Sequence, residues 1–279
     1  MHYAINIPNF ELYADPHLVA ELAHEAEESG WDGFFLWDHI SYDIRGSLEA
    51  VTVADPWILL AAIALRTKRI KIGPLVTPLP RRRPWKVARE SVTLDHLSQG
   101  RLILGVGLGN DRSREYSSLG EPTDPRLHGE LLDEGLEVLT RLWSGEAFSY
   151  AGEHYQLTNV QFLPKPVQQP RVPIWVAGFW PHKKPYRRAA QFDGICALRR
   201  EQPLEPDDYR DIIAYISASR TSSAPFDVIA SGHTAGIDQD AATIARLAEA
   251  GVTWWQECFD WTHTLDQVRQ RIQQGPPQF

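Results

Sequence analysis

The sequence has little cysteine. Its 279 residues include two, Cys196 and Cys258, both in apolar, strand-like runs and neither in a C-x-x-C motif. We interpret them as buried, inert thiols, which suits a reducing cytoplasm. The first residues have neither the basic segment nor the apolar core of a signal peptide. We therefore expect a soluble, cytoplasmic protein.

Long hydrophobic runs and an excess of positive charge are lacking too. The longest aliphatic run, Ile58 to Leu65, is far shorter than the ~20 residues that a membrane-spanning helix requires. The net charge is −8 and basic residues occur only in short runs, whereas a nucleic-acid surface needs a basic stripe. The glycines at 105, 107 and 109 fit neither a Walker loop nor G-x-G-x-x-G. We expect no membrane or nucleic-acid partner and no nucleotide fold of those two kinds.

Apolar, strand-like segments instead alternate with amphipathic helical segments along the chain. Eight strands are predicted, at 3–7, 33–37, 70–77, 102–109, 174–178, 194–198, 227–231 and 252–259. This alternation predicts a parallel sheet, and eight βα units favour an α/β protein of the (β/α)8 TIM-barrel type over an open doubly wound sheet. We expect one domain over residues 1–279, with an insertion at 144–173, between strands four and five, that holds a β-hairpin.

Catalytic residues of a TIM barrel lie at the carboxyl ends of its strands. Polar candidates at these ends include Asp38, His39, His233 and Glu257, which could form a mixed nitrogen and oxygen site for zinc or manganese. No tight spacing joins these residues, so we assign no metal. Two of these candidates also have a structural interpretation: His39 as a half-buried partner of Asp38, and Glu257 as the ion-pair partner of a nearby arginine.

Two segments could bind an anion. Residues 178–184 follow strand five and lead into a helix whose first position is expected at Pro185. The free N–H groups of a helix N-terminus stabilise an anion, and Lys183, Lys184 and Arg187 would add positive charge. Residues 232–236, after strand seven, are the alternative, because late strands often bind phosphate in barrels.

The sequence resembles the luciferase-like family of flavin- and F420-dependent oxidoreductases and monooxygenases. The motifs that carry the resemblance are G-W-D-G at 30–33, W-D-H at 37–39, A-D-P-W at 54–57, R-I-K-I-G at 69–73, L-G-V-G-L-G at 104–109 and P-I-W-V-A-G at 173–178. They span nearly the whole chain and are more specific for the family than for one reaction.

The resemblance implies a cofactor, reduced FMN or coenzyme F420, at the C-terminal mouth of the barrel. It also implies a non-prolyl cis peptide at the end of strand three, either Pro74–Leu75 or Leu75–Val76. We assign His39, Asn110 and Glu257 as catalytic residues. The residues assigned to cofactor binding are Asn6, Asp38, Pro74, Leu75, Val76, Leu108, Gly178, Phe179, Trp180, Lys183, Arg199 and Arg200.

Two departures from the family pattern bear on the reaction. F420-dependent sugar and alcohol dehydrogenases that resemble this chain at His39 carry a Trp shortly after that His and a Glu after the strand-four glycines. Asp43 and Asn110 stand here, so a cation-stabilising aromatic ring and a proton donor are both expected to be missing. The sequence thus favours an FMN monooxygenase that acts on a small organic substrate. A flavin reductase would supply its reduced FMN, and loops 41–52 and 111–130 would exclude water.

Other readings stay open. The first alternative is F420-dependent hydride transfer, the second is a flavin-binding protein without turnover, and a metal-dependent lyase or isomerase barrel comes last. Because family members are often dimers, a homodimer is also expected. The sequence does not name the substrate.

Overall fold

A computed structural model describes residues 1–43, 51–234 and 238–277 of the protein. Parallel strands alternate with helices along these ranges. The helices are α1 (Pro16–Glu28), α2 (Pro56–Arg66), α3 (Pro84–Leu97), α4 (Pro125–Trp143), α5 (Lys183–Ala189), α6 (Pro206–Ser217), α7 (Asp238–Glu249) and α8 (Leu265–Gln273). The strands are β1 (His2–Ile7), β2 (Gly33–Leu36), β3 (Lys71–Pro74), β4 (Thr77–Pro78), β5 (Leu104–Gly107), β6 (Phe148–Ala151), β7 (Gln156–Val160), β8 (Ile174–Phe179), β9 (Gly194–Leu198), β10 (Asp227–Gly232) and β11 (Trp254–Cys258).

Nine of these strands form one parallel sheet in the order β3-β2-β1-β11-β10-β9-β8-β5-β4. The sheet closes into a barrel where Ile72 bridges Leu102, and the N–H of Ile103 donates to the carbonyl of Ile72 at 2.9 Å. Glycine at position 73 is required for this closure, because a Cβ there would lie 1.8 Å from the carbonyl oxygen of Ile103. The predicted TIM barrel is confirmed.

The third barrel strand is interrupted between β3 and β4. Residues 75 and 76 leave the ladder there, and the peptide bond between Leu75 and Val76 is cis. The predicted non-prolyl cis bond is thus present, at the second of the two expected positions. Glycines on β5 make room for the interruption: a Cβ at Gly105 would lie 2.5 Å from the carbonyl oxygen of Pro74, and one at Gly107 would lie 2.9 Å from Val76. The chain itself, rather than a ligand, fills the space that these two glycines leave.

Two apolar cores stabilise the barrel. The inner core fills the barrel interior with Ala4, Phe35, Leu75, Ile103, Trp175, Cys196, Ile229 and Trp254. The larger outer core packs the helices against the strands, as expected when parallel strands are buried on both faces. Burial raises the pKa of the Cys196 and Cys258 thiols to about 12. Both cysteines are free thiols. Because their pKa values are raised, these thiols remain protonated at neutral pH, in agreement with their interpretation as inert.

Several helices begin where capping residues predict. Asp15 and Asp55 accept hydrogen bonds from the first backbone N–H groups of α1 and α2, with proline at the first helical position. Two predicted boundaries are wrong. Helix α4 begins at Pro125, inside the loop expected to reach residue 130. Helix α5 begins at Lys183, so Pro185 is its third residue instead of its first.

The expected hairpin is present between β5 and β8. Strands β6 and β7 pair antiparallel as a separate two-stranded sheet. The carboxylate of Glu134 on α4 accepts from the backbone N–H of Glu153 at 2.8 Å and of Tyr155 at 3.2 Å, which fixes the turn against the barrel. Within the described ranges, no helix combines the length and apolar character needed to cross a membrane.

Candidate functional site

His39 lies at the carboxyl end of the barrel, three residues after β2 ends at Leu36. The fully buried Asn9, which follows β1, fixes its backbone. The Asn9 Nδ2 group donates to the carbonyl oxygens of His39 and Ala54, both at 2.7 Å, and its Oδ1 accepts from the N–H of His39 at 3.1 Å. Two neighbouring strand ends therefore hold His39 in one position.

Glu115, from the loop between β5 and α4, is the acidic partner of His39. Nδ1 of His39 and Oε2 of Glu115 are 2.8 Å apart, and the Glu115 side chain is 4% exposed against 20% for His39. Because an ionised carboxylate only accepts, Nδ1 must carry the proton. In a neutral imidazole, Nε2 is then the acceptor. No hydrogen-bond partner of Nε2 is found in the described part of the chain.

The pKa of Glu115 lies below its ordinary value. Burial raises the pKa, but the hydrogen bond and charge of His39, the charge of Arg81 and the N–H of Ile40 together lower it further. The Arg81 guanidinium is 2.7 Å from Oε1, and the N–H of Ile40 is 2.8 Å from the same oxygen. Glu115 is therefore ionised at neutral pH and places a fixed negative charge beside His39.

Asp38 anchors the arginines that hold Glu115. Its side chain is fully buried, and each carboxylate oxygen accepts two hydrogen bonds. Arg81 and Arg82 donate to Oδ1 at 3.0 and 2.7 Å, while Thr77 and Arg82 donate to Oδ2 at 2.8 and 3.1 Å. Both carboxylate oxygens of Asp38 thus accept from protein donors, and its expected contact with a cofactor stays a prediction. Asp38 positions Arg81, and Arg81 joins it to Glu115.

Aromatic side chains surround the imidazole. We call Phe10, Trp37, Tyr42 and Trp261 the mouth cluster. Phe10 and Tyr42 stack at 4.1 Å between ring centroids, and Trp261 lies 5.4 Å from Tyr42. The ring of His39 is 4.6 Å from Tyr42 and 5.9 Å from both Phe10 and Trp37. The Trp of the family pattern is absent, but Tyr42 and Trp261 place other aromatic rings near His39.

The loops after β8 and β9 line a cavity of about 360 Å³. Among its lining residues are Phe179, Trp180, His182, Arg199 and Arg200. Arg199 forms an ion pair with Asp208, whereas Arg200 lies 5.5 Å from the centroid of the Phe179 ring. No carboxylate partner of Arg200 is found in residues 1–43, 51–234 and 238–277. The structure thus brings together four residues predicted for cofactor binding, and it leaves one of the two arginines available to an anion.

Two other residues of this region do not line that cavity. The Nζ of Lys183 lies 3.6 Å above the ring of Trp180 and 4.4 Å from that of Tyr215. Gly178 is buried against α5: a Cβ there would lie 2.4 Å from Pro185, and its carbonyl accepts from Tyr186 at 3.1 Å. Gly178 therefore allows close packing of α5, and its role in cofactor binding stays a prediction.

Smaller polar and apolar side chains lie on or just after strands β1, β3, β5 and β11. Asn6 is buried and its Oδ1 accepts from the indole of Trp37, and Leu75 and Val76 pack with the inner core. The carbonyl of Leu108 accepts from Tyr116 at 2.9 Å. One of these groups is unsatisfied: the buried Nε2 of Gln256 has no hydrogen-bond partner in the described part of the chain. Asn6, Leu75, Val76 and Leu108 were predicted from the sequence to bind the cofactor, whereas Gln256 was not, and that role stays a prediction.

Glu257 lies on β11, one residue before the strand ends. It is fully buried, and its Oε2 accepts from Thr234 at 2.7 Å and Arg271 of α8 at 3.4 Å. Its Oε1 lies 3.1 Å from Nδ1 of His233. The carboxylate joins β11 to α8, as the arginine-paired alternative expected, and the catalytic role of Glu257 stays a prediction.

Asn110 is exposed after β5, and its Oδ1 accepts from the N–H of Arg112 at 3.0 Å. It does not contact His39 in the structure.

The four residues of the metal alternative do not form one group in the structure: Asp38 and His39 follow β2, whereas His233 and Glu257 pair with each other at 3.1 Å. Asp38 is bound to arginines and Glu257 to Arg271. The only metal-like grouping in the described residues is His24, Glu27 and Glu28, on the outside of the barrel. Glu27 already accepts from the backbone N–H groups of Lys68 and Ile70 at 2.9 and 2.8 Å. The second proposed anion cradle, 232–236, extends beyond the described residues, as does part of loop 41–52.

Comparison with known proteins agrees with this geometry. The profile of the luciferase-like monooxygenase family matches residues 1–275. An F420-dependent glucose-6-phosphate dehydrogenase of Amycolatopsis mediterranei (strain U-32) is 31% identical over 196 residues, which cover 69% of this chain and 56% of the relative. The chain thus spans about half the length of the dehydrogenase it matches.

Solved structures share the fold at low identity. An F420-dependent secondary alcohol dehydrogenase in complex with an F420-acetone adduct aligns over 99% of this chain and 98% of its own, with a TM-score of 0.80 and 17% identity. A monooxygenase, RslO1 from Streptomyces bottropensis, aligns over 98% and 96%, with a TM-score of 0.75 and 18% identity. The match over nearly the whole sequence confirms the predicted oxidoreductase family, and the chain belongs to the luciferase-like monooxygenases.

Proposed function

We propose that the protein is an F420-dependent oxidoreductase that transfers a hydride between the cofactor and a small organic substrate. The observation that carries this proposal is the His39–Glu115 pair, with Nδ1 of His39 2.8 Å from a buried carboxylate. Such a pair leaves Nε2 as the group that exchanges a proton with a substrate. Hydride transfer to or from an alcohol or carbonyl carbon requires a proton exchange of this kind.

F420 is favoured over FMN, the cofactor first expected from the sequence. The glucose-6-phosphate dehydrogenase of Amycolatopsis mediterranei is named as F420-dependent and shares 31% identity with this chain. Asp43 and Asn110 also argue less against an F420-dependent dehydrogenase, because Glu115 and Tyr42 supply an acidic and an aromatic group beside His39. FMN remains the competing cofactor, and a flavin reductase partner belongs to that alternative.

The described residues fit such a cofactor on both sides of the barrel mouth. Strands β11, β1 and β2 are neighbours and carry the mouth cluster, whereas β8 and β9 carry the cavity with Arg200. In a ring of eight strands these two groups lie opposite each other. Arg200 would hold an anionic tail, and the unsatisfied Nε2 of Gln256 would donate to a polar edge of the ring system.

When bound, F420 supplies a two-electron hydride acceptor. In alcohol oxidation, His39 takes the hydroxyl proton at Nε2 as the carbinol carbon gives up its hydride, which leaves a neutral carbonyl product. The carboxylate of Glu115 stabilises the imidazolium that forms. The aromatic rings of the mouth cluster limit the access of water to this proton.

Replacement of His39 tests the proposal. We expect His39→Ala to fold and to bind F420, but to lower kcat for F420-linked substrate oxidation by ~10²- to 10⁴-fold, the usual contribution of a general base. The readout is the loss of the visible absorption of F420 under steady-state conditions. His17→Ala, an exposed histidine on α1, is the matched control. Equal rates in wild type and His39→Ala would contradict the proposed role of His39.

A further inference from the structure

A second cavity lies at the amino end of the barrel. It has a volume of about 420 Å³, within the range of small-molecule sites. Four of its lining residues mark the starts of strands that are adjacent in the sheet, β3, β2, β1 and β11: Lys71, Asp32, His2 and Trp254. Barrel enzymes carry their active sites at the opposite end. The cavity is therefore separate from the site around His39.

The indole of Trp254 forms a fixed wall of this cavity. Its Nε1 donates to the carboxylate of Asp227 at 3.1 Å, and its ring packs edge-on against Phe35 and Trp175 of the inner core. The imidazole of His2 lies against the indole at 4.7 Å between ring centroids, and the His2 side chain is 59% exposed. Two such rings offer flat contact surface, which favours a planar ligand.

The two carboxylates of the cavity are engaged by protein donors. Oδ2 of Asp32 accepts from the N–H of Tyr3 at 2.8 Å, and its Oδ1 lies 3.4 Å from Nδ1 of His2. Glu27 is 5% exposed and accepts from the backbone N–H groups of residues 68–70 at 2.5 to 2.9 Å. A cationic ligand would have to compete with these donors for the two carboxylates.

Lys71 supplies positive charge to the cavity. Its ammonium group has three N–H donors, and the carbonyl oxygen of Gly100 accepts one of them at 3.2 Å. Burial lowers the pKa of Lys71, although the charge of Asp95 acts in the other direction. Arg69 adds a second cation at the rim, 67% exposed and 3.4 Å from Glu28. An anion at the half-buried ammonium would compensate for the water that burial removes.

From this arrangement we infer that the amino end of the barrel binds a small planar carboxylate, such as an aromatic acid, with its carboxylate at Lys71 and its ring against His2 and Trp254. A carboxylate pairs with an ammonium through charge-assisted hydrogen bonds, and a flat ring gains contact with the two aromatic side chains. The inference concerns a second ligand site and does not depend on the proposed function.

The first test uses para-fluorobenzoate, observed by fluorine NMR with the full-length, untagged protein. We expect a dissociation constant below about 1 mM. The neutral para-fluorobenzamide has the same shape without the charge, and inorganic phosphate has the charge without the ring, so each should bind at least about tenfold more weakly. No binding of the benzoate would overturn the inference, and so would equal affinity for the amide or for phosphate.

Substitutions then assign the site. Lys71→Met should weaken binding of para-fluorobenzoate at least about tenfold, whereas Lys86→Met, at a side chain that is 68% exposed on α3, should leave it unchanged. Asp32→Asn keeps an acceptor for the N–H of Tyr3 and removes a negative charge, so it should tighten binding. Equal affinity in wild type and Lys71→Met would overturn the inference. If Lys71→Met does not fold, Asp32→Asn decides, since unchanged or weaker binding in that variant would overturn it.

Competition with F420 distinguishes the two ends of the barrel. Protein saturated with F420 should bind para-fluorobenzoate as tightly as the free protein, because the sites are separate. Displacement of the probe by F420 would place the probe at the barrel mouth and overturn the inference. If F420 does not bind at all, the proposed function fails, and the variants at Lys71 and Asp32 still decide whether the second site exists.

Discussion

The carboxylate of Glu115 connects the charge network of the mouth to its histidine. It bonds to His39, to Arg81 and to the backbone of Ile40, at distances of 2.7 to 2.8 Å. Asp38 in turn fixes Arg81 and Arg82 from a fully buried position. A buried charge of this kind is stable only with its partners in place. Removal of one member should therefore affect both stability and catalysis.

Glu115→Gln removes the charge and keeps the shape. We expect a loss of about 3 kcal/mol in the free energy of unfolding at neutral pH, since one partner of a buried ion pair disappears. The pKa of Glu115 is lowered in the folded state. Its contribution is thus fully present above the unfolded pKa of about 4.3 and is lost as pH falls through the folded pKa.

Urea unfolding of wild type and Glu115→Gln from about pH 7 down to about pH 2, below the unfolded pKa, checks this sign. The difference between the two proteins should narrow toward the acidic end. A difference that stays constant over this range would show that the charge of Glu115 does not stabilise the fold. Replacement of Glu146, an exposed residue before the hairpin, is the control and should have little effect at any pH.

Single residues differ in how far the sequence reveals them. His39 could be predicted because it directly follows an apolar strand within a W-D-H motif. Glu115 could not, because it lies 76 residues from His39 in a loop without periodicity. The sequence allowed two interpretations of Glu257, as a catalytic residue or as the ion-pair partner of an arginine. The direction of its side chain is needed to distinguish them. Side-chain direction at a strand end is a property of the barrel as a whole.

At the scale of elements, the closure of the barrel depends on β3. The backbone of β3 approaches residues 101–103 so closely that any side chain at position 73 would meet the carbonyl of Ile103 at 1.8 Å. The alternation of strands and helices is readable from hydrophobic periodicity, and the break in strand three from its Gly-Pro pair. The start of α5 could not be predicted from the sequence, because Pro185 fits several positions in the first turn of a helix.

Gly73→Ala should destabilise the protein by more than the ~1–3 kcal/mol of ordinary overpacking, since its Cβ meets rigid backbone. Gly129→Ala provides the matched control. Gly129 lies inside α4, where an added Cβ would meet only the end of the Lys184 side chain at 3.4 Å, so alanine should be neutral or stabilise by up to about 1 kcal/mol. Thermal unfolding of both variants measures the difference. Equal midpoints would show that barrel closure does not require glycine at position 73.

At the scale of the whole molecule, the net charge of −8 opposes the approach of an anionic cofactor. Binding must therefore depend on local positive charge, and Arg200 is the arginine at the β8–β9 cavity without a carboxylate partner among the residues described. Arg199 is less available because it is paired with Asp208. The sequence located both arginines, but it could not distinguish the paired one from the free one.

Arg200→Gln should weaken F420 binding about tenfold, the equivalent of ~1.4 kcal/mol, and reduce the salt dependence of the dissociation constant. Fluorescence titrations at low and high salt measure both effects. Arg126→Gln, at a side chain that is 84% exposed on α4, should leave both unchanged. If Arg200→Gln binds F420 as tightly as wild type, the cavity does not hold the tail.

The cofactor that the protein binds decides between F420-dependent hydride transfer and an FMN-dependent reaction. Parallel titrations of the full-length protein with F420 and with FMN, followed by cofactor fluorescence, give the two dissociation constants under one set of conditions. We predict a single site for F420 with an affinity at least about tenfold higher than for FMN, a difference of ~1.4 kcal/mol or more. Tighter binding of FMN, or binding of neither cofactor, would contradict the proposed function.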